Sequence, residues 1–390
     1  MRSRLGFWAV VAAALVTGTG PAAAIPAATT GYQWGQVPCE SGWAPLPQPA
    51  ASQAVTSVDG GADHALWLTG QGQVLIHGTS IEHANPDGSI GGFCYAKPHA
   101  VAGLTDVIQV AAGNGFSVAL RSDGTVATWG LNKDGQLGDG TTVTRADPRP
   151  VPGLTDVVDI AAGDGHVLAL LRDGYVMSWG ANASGQLGSG QTLPRSSPAL
   201  VLSLTAIKDV AAGSAHSFAI MANQQLRSWG RNTDGELGDG TTVNRTKPGW
   251  VVEPNGAPLA NVAQVDGGLG VSAAIVNASG TGGSIYTWGS QRDGQLGDSD
   301  VLGIQTTAEG PIQLPSPASQ LAVGRSHSVA RLRNGRVYAW GRNTLGQIGN
   351  NKITPYEPRP TRTIGEFISS PAAQVAATGD TSLAALPPLP

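Results

Sequence analysis

The chain has 390 residues, a formal net charge of −4 and a charged fraction of only 13%. The sequence contains no basic run, so it lacks the electrostatic footprint of a nucleic-acid-binding protein. Glycine and proline are abundant, with 55 and 26 residues. Because both recur at regular intervals, they indicate the turns of an ordered all-β chain rather than disorder.

The N-terminal segment Met1–Ala24 has the features of a secretory signal peptide. Arg2 and Arg4 precede the apolar run Leu5–Val16, and the small residues Ala22–Ala24 form a cleavage site. The alternative is a membrane anchor, but the apolar run is short for a span. We therefore expect residues 25–390 to form one exported domain, secreted or at the cell surface and without a membrane segment.

A unit of about 50 residues recurs along the rest of the chain. The stretch 161–190 is similar to 111–140 and 211–240, and the anchor glycines Gly113, Gly163 and Gly213 are 50 residues apart. A fixed period of this size indicates a repeat architecture.

Each unit is predicted to form four antiparallel strands, as in a propeller blade. In the central copy the strands are Val157–Ala162, His166–Leu171, Tyr175–Trp179 and an outer strand near Pro198–Leu202. Gly163–Gly165 predicts a tight turn with positive φ, and Asp173-Gly174 predicts a hairpin with positive φ at both central residues.

The repeat positions predict seven blades. The anchor positions are Gly61, Gly113, Gly163, Gly213, Gly268, Gly324 and Gly379. The tryptophans of the Trp-Gly positions, which we expect to pack between blades, are Trp34, Trp129, Trp179, Trp229, Trp288 and Trp340, with His77 in the remaining place. The two series are out of phase at the termini, so one blade has to combine Gly31–Gly35 with Val375–Leu386. Such a closure removes the sheet edges of an open array.

The motifs AAGxxHSxAL, DGxVxxWG and NxxGQLGDG resemble the repeat of the regulator of chromosome condensation family. Good matches to the third motif are Gln136–Gly140, Glu236–Gly240, Gln295–Asp298 and Gln347–Gly349. The resemblance covers about residues 31–390 and implies a seven-bladed all-β propeller closed by both termini. The founding activity of the family is guanine nucleotide exchange on a small nuclear GTPase. This chain has no basic tail and no visible inserted wedge, so exchange is a remote alternative.

A secreted bacterial member of the same family binds and inhibits β-lactamases, which supports binding as a class of function. We therefore predict a monomeric, non-catalytic module without cofactor or metal that binds another protein. The rival is a polysaccharide hydrolase or lyase with its site at the mouth of the ring. Convergent acids and aromatic residues on one face would favour the rival.

Two recurring polar features suggest metal binding only weakly. His64, His166, His216 and His327 each stand three residues after an anchor glycine, where a ring of metal ligands is conceivable. Phe116, Val271 and Ser382 fill that place in other units, so we expect each imidazole to cap local backbone groups. The Asn132–Gly135 element resembles a calcium loop, but its equivalents lack the acids, which favours a structural turn.

The first complete unit departs from the repeat. The segment Thr79–His99 replaces the GQLGDG loop, and tryptophans outside the repeat pattern can anchor a partner. The candidate partner-binding residues are Trp43, Ile81, Glu82, His83, Asp87, Phe93 and Trp250. A metal site of His77, His83 and His99 with Glu82 and Asp87 is the alternative, although the spacing matches no compact ligand motif.

The two cysteines, Cys39 and Cys94, are predicted to form one disulfide. The compartment beyond the membrane is oxidising, and the two residues belong to neighbouring blades with loops on the same face. The bond would connect the N-terminal closing strand to the next blade.

Overall fold

The computed structural model describes residues 31–36, 43–51, 55–84, 90–277, 283–300, 302–364, 374–377 and 379–385. Twenty-eight strands in these residues form seven four-stranded antiparallel sheets, which confirms the predicted seven-bladed propeller. No helix in the described ranges is long and apolar enough to cross a bilayer.

Blades 1 to 6 each use four consecutive strands, with the first strand innermost and the fourth outermost. Blade 1 is β3 (Val55–Gly60), β4 (His64–Thr69), β5 (Val74–Ala84) and β6 (Ile90–Ala100). Blade 2 is β7 (Val107–Ala112), β8 (Phe116–Arg121), β9 (Val126–Gly130) and β10 (Arg145–Pro150). Blade 3 is β11 (Val157–Ala162), β12 (His166–Leu171), β13 (Val176–Gly180) and β14 (Arg195–Leu200).

The remaining blades follow the same order until the closure. Blade 4 is β15 (Ile207–Ala212), β16 (His216–Met221), β17 (Leu226–Gly230) and β18 (Arg245–Trp250). Blade 5 is β19 (Val262–Gly267), β20 (Val271–Val276), β21 (Ser284–Ser290) and β22 (Ile304–Glu309). Blade 6 is β23 (Ala318–Val323), β24 (His327–Leu332), β25 (Val337–Arg342) and β26 (Tyr356–Arg362). Blade 7 combines β1 (Gly31–Gln36), β2 (Trp43–Ala51), β27 (Gln374–Ala377) and β28 (Thr381–Ala385).

The strand sequences match their positions in the blades. The second strands, such as His166–Leu171 (HVLALL), are apolar on both faces because they lie between neighbouring blades, and five of these six residues are buried. The outer strands carry a proline at one shared position, together with charged residues, which protects an exposed sheet edge. These prolines are Pro148, Pro198, Pro248 and Pro360.

Blade 7 closes the ring as predicted. Its sheet has the order β2-β1-β28-β27, so the N-terminal strand lies between its own hairpin partner and the C-terminal strand. Tyr32 pairs with Ala384, and Trp34 pairs with Ser382. The Trp34 side chain is fully buried and packs with Ile348 of blade 6.

Two predicted turns form for reasons that differ from the expected ones. The anchor glycine Gly163 does not have positive φ; a Cβ at this residue would collide with the carbonyl oxygen of Gly213 and with the His166 ring. In the hairpin, only Gly174 has positive φ (85°), and its N–H donates to Leu171 O at 2.9 Å. The turn is therefore a type I turn followed by a left-handed glycine.

The hydrogen-bond register shifts one anchor assignment in blade 7. Gly379 N donates to Gly61 O, and in blades 2 to 6 the donor of the equivalent bond is the residue after the anchor, as with Asp164 N to Ser214 O. Gly379 therefore occupies the place after the anchor, and the anchor position is residue 378, which lies outside the described residues. Thr381, not Ser382, is then the equivalent of the repeat histidines.

The two faces of the ring are different. The residue after each Trp-Gly pair bonds to the anchor turn, as in Ala181 N to Gly165 O at 2.8 Å, so the anchor turns and long loops share one face. The hairpins bond to the connections between blades, as in Val157 N to Gly124 O at 3.1 Å. They therefore lie on the opposite face, as predicted.

Candidate binding face

A ring of backbone hydrogen bonds surrounds the channel mouth on the face of the long loops, which we call the long-loop face. In blades 2 to 7 the residue after the anchor position connects its blade to the next, as in Asn114 N to Asp164 O at 3.1 Å and Asp164 N to Ser214 O at 3.0 Å. The bonds from Ser214 to Gly268, Leu269 to Arg325, Arg325 to Gly379 and Gly379 to Gly61 continue the ring. The backbone groups at the mouth are therefore paired between neighbouring blades.

The repeat histidines connect neighbouring blades and do not converge on a metal. His166 Nε2 lies 2.9 Å from Ser217 Oγ, and that hydroxyl donates to Gln186 O at 2.8 Å. Because the only hydroxyl hydrogen of Ser217 is donated to Gln186 O, the His166–Ser217 bond must be donated by His166 Nε2, which fixes the neutral tautomer. Burial lowers the pKa of His166 to about 4. The bond runs to the next blade, so the expected local cap is not what forms.

The same arrangement recurs at three further seams. His64 and His327 lie 2.9 Å from the hydroxyl of the next blade's serine, and His216 lies 3.1 Å from its serine. Those serines are Ser117, Ser382 and Ser272. Burial also lowers the pKa of His216 to about 3 and that of His327 to about 4. Among the described residues, no group of three potential metal ligands is present.

The tryptophans of the Trp-Gly positions contact the preceding blade. Trp229 Nε1 donates to Gln186 O at 2.8 Å, on the same carbonyl that accepts from Ser217. Trp179, Trp288 and Trp340 make the equivalent bond to Gln136, Glu236 and Gln295. All six are at least 97% buried, because Trp129 is 3% exposed and the other five are 0% exposed. These rings are therefore part of the packing between blades.

Glutamines of the innermost strands clasp the next blade along the channel wall. Gln264 Nε2 donates to Leu321 O at 2.7 Å, and Gln264 Oε1 accepts from Leu321 N at 3.0 Å. Gln320 makes the same pair of bonds to Val375. The carboxamide therefore adds two ladder-like hydrogen bonds between strands of different blades.

Two aspartates replace this clasp in blades 3 and 4. Asp159 accepts from Gln109 Nε2 at 2.8 Å and from Val210 N at 3.2 Å, and it also shares a hydrogen bond with the Asp209 side chain. Burial and then the Asp159 charge raise the pKa of Asp209 well above its usual value. The two carboxyl groups therefore oppose each other's ionisation.

Two further channel acids are held by the next blade's backbone. Asp59 accepts from Ala112 N and Asp266 accepts from Val323 N, both at 2.8 Å. Burial raises the pKa of Asp59 to about 6 and that of Asp266 to about 7. Sequence reasoning missed all four acids, although Asp159 and Asp209 share one repeat position with Gln109, and Asp59 and Asp266 share another.

The NxxGQLGDG loops are structural turns built around a buried asparagine. Asn132 Oδ1 accepts from Leu137 N at 2.9 Å, while its Nδ2 donates to Val143 O at 3.2 Å. Leu137 is fully buried, and Gly138 lies against the Trp179 ring of the next blade. The loop thus spans the seam between blades.

In blade 1 a long hairpin takes the place of this loop. Strands β5 and β6 have 11 residues each and pair from Leu75 with Ala100 to Ala84 with Ile90, with bulges after Ile76 and Ile81. Residues 79–84 continue beyond the strand end of the other blades, which corresponds to roughly 20 Å at about 3.3 Å per residue. The hairpin projects from the long-loop face.

The candidate partner-binding residues divide between this hairpin and two outer strands. Ile81, Glu82, His83 and Phe93 are on the hairpin strands and Trp43 begins β2, but their side chains and all of Asp87 lie outside the described part. Strand β2 packs against β6, so Trp43 and the hairpin belong to one region. Trp250 is elsewhere, on β18, half-buried under the Arg227 guanidinium at 3.3 Å from its ring centre.

The polar residues of the hairpin base have different environments. His77 is 1% exposed, whereas His99 is exposed and stacks on Tyr95 with ring centres 4.5 Å apart. Tyr95 packs against the cluster that contains Trp129 and so covers the seam to blade 2. Cys94 is exposed on β6 with its Sγ 3.8 Å from Thr79 Oγ1, and Cys39 lies outside the described residues, so the disulfide stays a prediction.

Comparison with known proteins gives one family. A family model described as the RCC1-like domain matches residues 18–384. The structure of Prp20p from Saccharomyces cerevisiae, a protein described with binding properties to Gsp1p and histones, superposes with a TM-score of 0.79 at 22% identity over 94% of this chain and 93% of that chain. Human WBSCR16 superposes with a TM-score of 0.75 at 22% identity over 91% and 99%.

Curated relatives match over shorter stretches. The probable E3 ubiquitin-protein ligase HERC6 of Homo sapiens is 34% identical over 103 residues, which is 26% of this chain and 10% of that protein. The two structural neighbours show the fold alone, whereas the family model covers most of the sequence. The chain belongs to the RCC1-like domain family.

Proposed function

We propose that this chain is an exported, non-catalytic propeller that binds another protein through its long-loop face, with the β5–β6 hairpin at the centre of the contact. The observation that carries the proposal is the replacement of the seam-spanning loop by a projecting hairpin in one blade. Tyr95 at the hairpin base already covers the seam. The extension beyond Gly78 is therefore surplus to ring assembly, and it gives the face a shape that no other described blade has.

The family supports a protein as the partner. Prp20p, which shares this fold, is described with binding properties to Gsp1p and histones. Propellers are scaffolds whose loops carry the specific contacts, so the partner of this chain need not resemble those proteins. Export is supported by the charge and apolar pattern of Met1–Ala24 in the sequence.

The channel acids support a structural role over a hydrolytic one. A glycoside hydrolase needs two carboxyl groups separated by the width of a reacting bond, about 5 Å or more. Asp159 and Asp209 instead share a hydrogen bond, and Asp59 and Asp266 accept backbone N–H groups of the next blade. These carboxyl groups are thus engaged in holding blades together.

The proposal is tested by replacing Thr79–Phe93 with a GQLGDG loop from blade 2. The matched control shortens the excursion on the opposite face, where Val252 and Pro258 form an isolated bridge. Mature wild-type protein and both variants are used as bait for the secretome of the source organism, and captured proteins are identified by mass spectrometry. We expect the control to capture the wild-type partner and the graft to lose it while keeping its far-UV spectrum. Equal capture by the folded graft would refute the role of the hairpin.

A further inference from the structure

The long loops of blades 2 and 4 contain a built-in carboxylate site. In blade 4, Arg245 Nη1 lies 2.9 Å from Asp239 Oδ2, and in blade 2 Arg145 pairs with Asp139 in the same way. The side chains of Asp139 and Asp239 are only 16% and 10% exposed. Asp139 also accepts from Thr141 N at 3.0 Å and from Asn132 Nδ2 at 3.3 Å. The loop thus surrounds a carboxylate with charged and neutral donors.

Blade 3 keeps the donors of this site but has no acid. Ser189 stands in the place of the aspartate, and it accepts from Asn182 Nδ2 at 3.5 Å and from Gln191 N at 3.4 Å. The cation of the site is still present as Arg195, at the start of β14. Within the described ranges, Arg195 makes no ion pair, whereas Arg145 and Arg245 both do.

Of the other two long-loop blades, blade 5 changes only the arginine and blade 6 changes both members of the pair. In blade 5 the arginine position is Gln305, whose Nε2 donates to Thr287 O, and Asp298 accepts from Gln291. In blade 6 the positions are Asn350 and Glu357, with Asn350 Nδ2 3.4 Å from Glu357 Oε1. Of the five repeat loops described, only that of blade 3 combines a full positive charge with a missing acid.

The Ser189 hydroxyl adds a second donor. It receives both of its hydrogen bonds as an acceptor, so its own hydrogen has no acceptor among the described residues. Ser189 and Arg195 are both partly exposed, and the neighbouring Leu193 is 71% exposed. Blade 3 therefore carries a hydroxyl in place of the carboxylate, and an arginine at the position whose guanidinium holds that carboxylate in blades 2 and 4.

We propose that blade 3 binds a carboxylate anion from solution between Arg195 and Ser189. Arg195 supplies charge-assisted hydrogen bonds, as Arg145 and Arg245 do for the internal acids, and Ser189 donates its hydroxyl. The carboxylate can belong to a small organic acid or to an Asp or Glu side chain of a protein; only the second source rests on the proposed function, since the site lies on the long-loop face.

Formate is the first probe, and binding is measured by saturation-transfer NMR at constant ionic strength. We expect saturable binding to wild type with one site, a loss of at least tenfold in affinity in Arg195→Gln, and no binding to Ser189→Asp. In Ser189→Asp the new acid fills the site and pairs with Arg195, so its melting temperature should rise by about 2 °C. Formate binding by Arg195→Gln at the wild-type affinity would overturn the proposal.

Sister blades provide a gain-of-site variant. Asp239→Ser reproduces the blade 3 arrangement in blade 4 and should raise the stoichiometry from one formate to two, with Asp139→Ser as the substitute if the first variant does not fold. A folded variant that binds no second formate contradicts the proposed donor set.

A second probe, a glutamate blocked at both termini, separates the two sources. Binding at least as tight as that of formate supports a protein side chain, and exclusion of the blocked glutamate supports a small acid. The hairpin graft should still bind formate, so that failure of the partner experiment and failure of this one are distinguishable.

Discussion

Blades 2 to 6 and the closing pair, blades 7 and 1, solve the same packing problem with different residues. In the regular blades a tryptophan, an anchor glycine and a GQLG-type loop make each seam. In blade 1 the tryptophan position is His77, and Tyr95 of the hairpin covers the next seam. In blade 7 the anchor place is shifted to residue 378. The comparison indicates that the seam contacts are required, whereas the residues that make them are exchangeable.

The regular blades also differ among themselves, and each can serve as a control for the others. A histidine stands where the next blade offers a serine, as with His166 and Ser217. In blade 2 the same place holds Phe116, and the facing position of blade 3 is Val167, which has no hydroxyl. At the seam between blades 5 and 6, Val271 faces Ser328, whose hydroxyl donates to Gln295 O. The buried histidine therefore occurs only opposite a serine, whereas the serine also occurs without a histidine, which follows from the cost of leaving a buried imidazole without a partner.

Removal of β1 is expected to have the largest effect, because it opens the ring. Deletion of Gly31–Gln36 exposes the edge of β28 and removes the buried Trp34 ring. The single change Trp34→Ala should cost about 3–5 kcal/mol in the free energy of unfolding, and the deletion more. Trp179→Ala in blade 3 is the matched control and should cost a similar amount. A deletion variant with the wild-type melting temperature in calorimetry would disprove the closure.

Replacement of Asp209 by the glutamine of other blades should stabilise the protein at neutral pH. Because folding raises the pKa of Asp209, this residue stabilises the protein below its pKa in the unfolded chain, near 3.8. The stabilisation is lost as the pH rises through its pKa in the folded protein. Asp209→Gln has no such loss, so at pH 8 its free energy of unfolding should be about 1–3 kcal/mol higher than that of wild type. At pH 4 the two proteins should be alike in denaturant titrations.

The reverse exchange is the control for that result. Gln264→Asp removes the bond donated to Leu321 O and places a buried acid at another seam, so it should lower stability as the pH rises. If the free energy of unfolding depends on pH equally in wild type, Asp209→Gln and Gln264→Asp, then ionisation of the channel carboxyl groups does not destabilise the fold.

The repeat histidines should have the opposite pH dependence. Burial lowers the pKa of His166 to about 4, below the ordinary histidine pKa of 6.5. The contribution of His166 to stability is therefore present above pH 6.5 and is lost as the pH falls through 4. His166→Phe copies blade 2 and should be about 1 kcal/mol less stable than wild type at pH 7, because the bond to Ser217 is lost. Below pH 4 it should be the more stable of the two. Unfolding curves that do not cross between these limits would contradict the buried neutral imidazole.

Much of the fold could be predicted because the repeat places glycine and apolar residues at fixed intervals. The strands Val157–Ala162 and His166–Leu171 were predicted with their observed limits, and the outer strand Arg195–Leu200 begins three residues before the predicted Pro198. The closure followed from the phase of the Trp-Gly and anchor series. These features depend on local chain geometry, which the sequence pattern expresses directly.

The contacts between blades were less accessible to sequence reasoning. The bond from His166 to Ser217 and the clasp of Gln264 on Leu321 join residues more than 50 positions apart, so neither is visible within one unit. The missing acid beside Arg195 is recognised only by comparison with the ion pairs that Asp139 and Asp239 form in blades 2 and 4. The hairpin of blade 1 was predicted as a divergent loop, because Thr79–Phe93 has no regular alternation of apolar residues.

The smallest effect is expected at the residue before each first strand, which adopts a left-handed conformation. Asp106, Asp156 and Asn261 have φ near 57°, as expected for side chains that tolerate this region, but in blade 4 the residue is Ala206 with φ 54°. Because the backbone around Ala206 bonds as in its sisters, with Ala222 N donating to Ala206 O at 2.7 Å, only the side chain differs. Ala206→Asp should stabilise the protein by about 0.5–1 kcal/mol, and Asp156→Ala in blade 3 should destabilise it by a similar amount. The free energy of unfolding of each variant is measured by urea titration. Changes of the same sign in both variants would contradict the prediction that the side chain at this left-handed position affects stability.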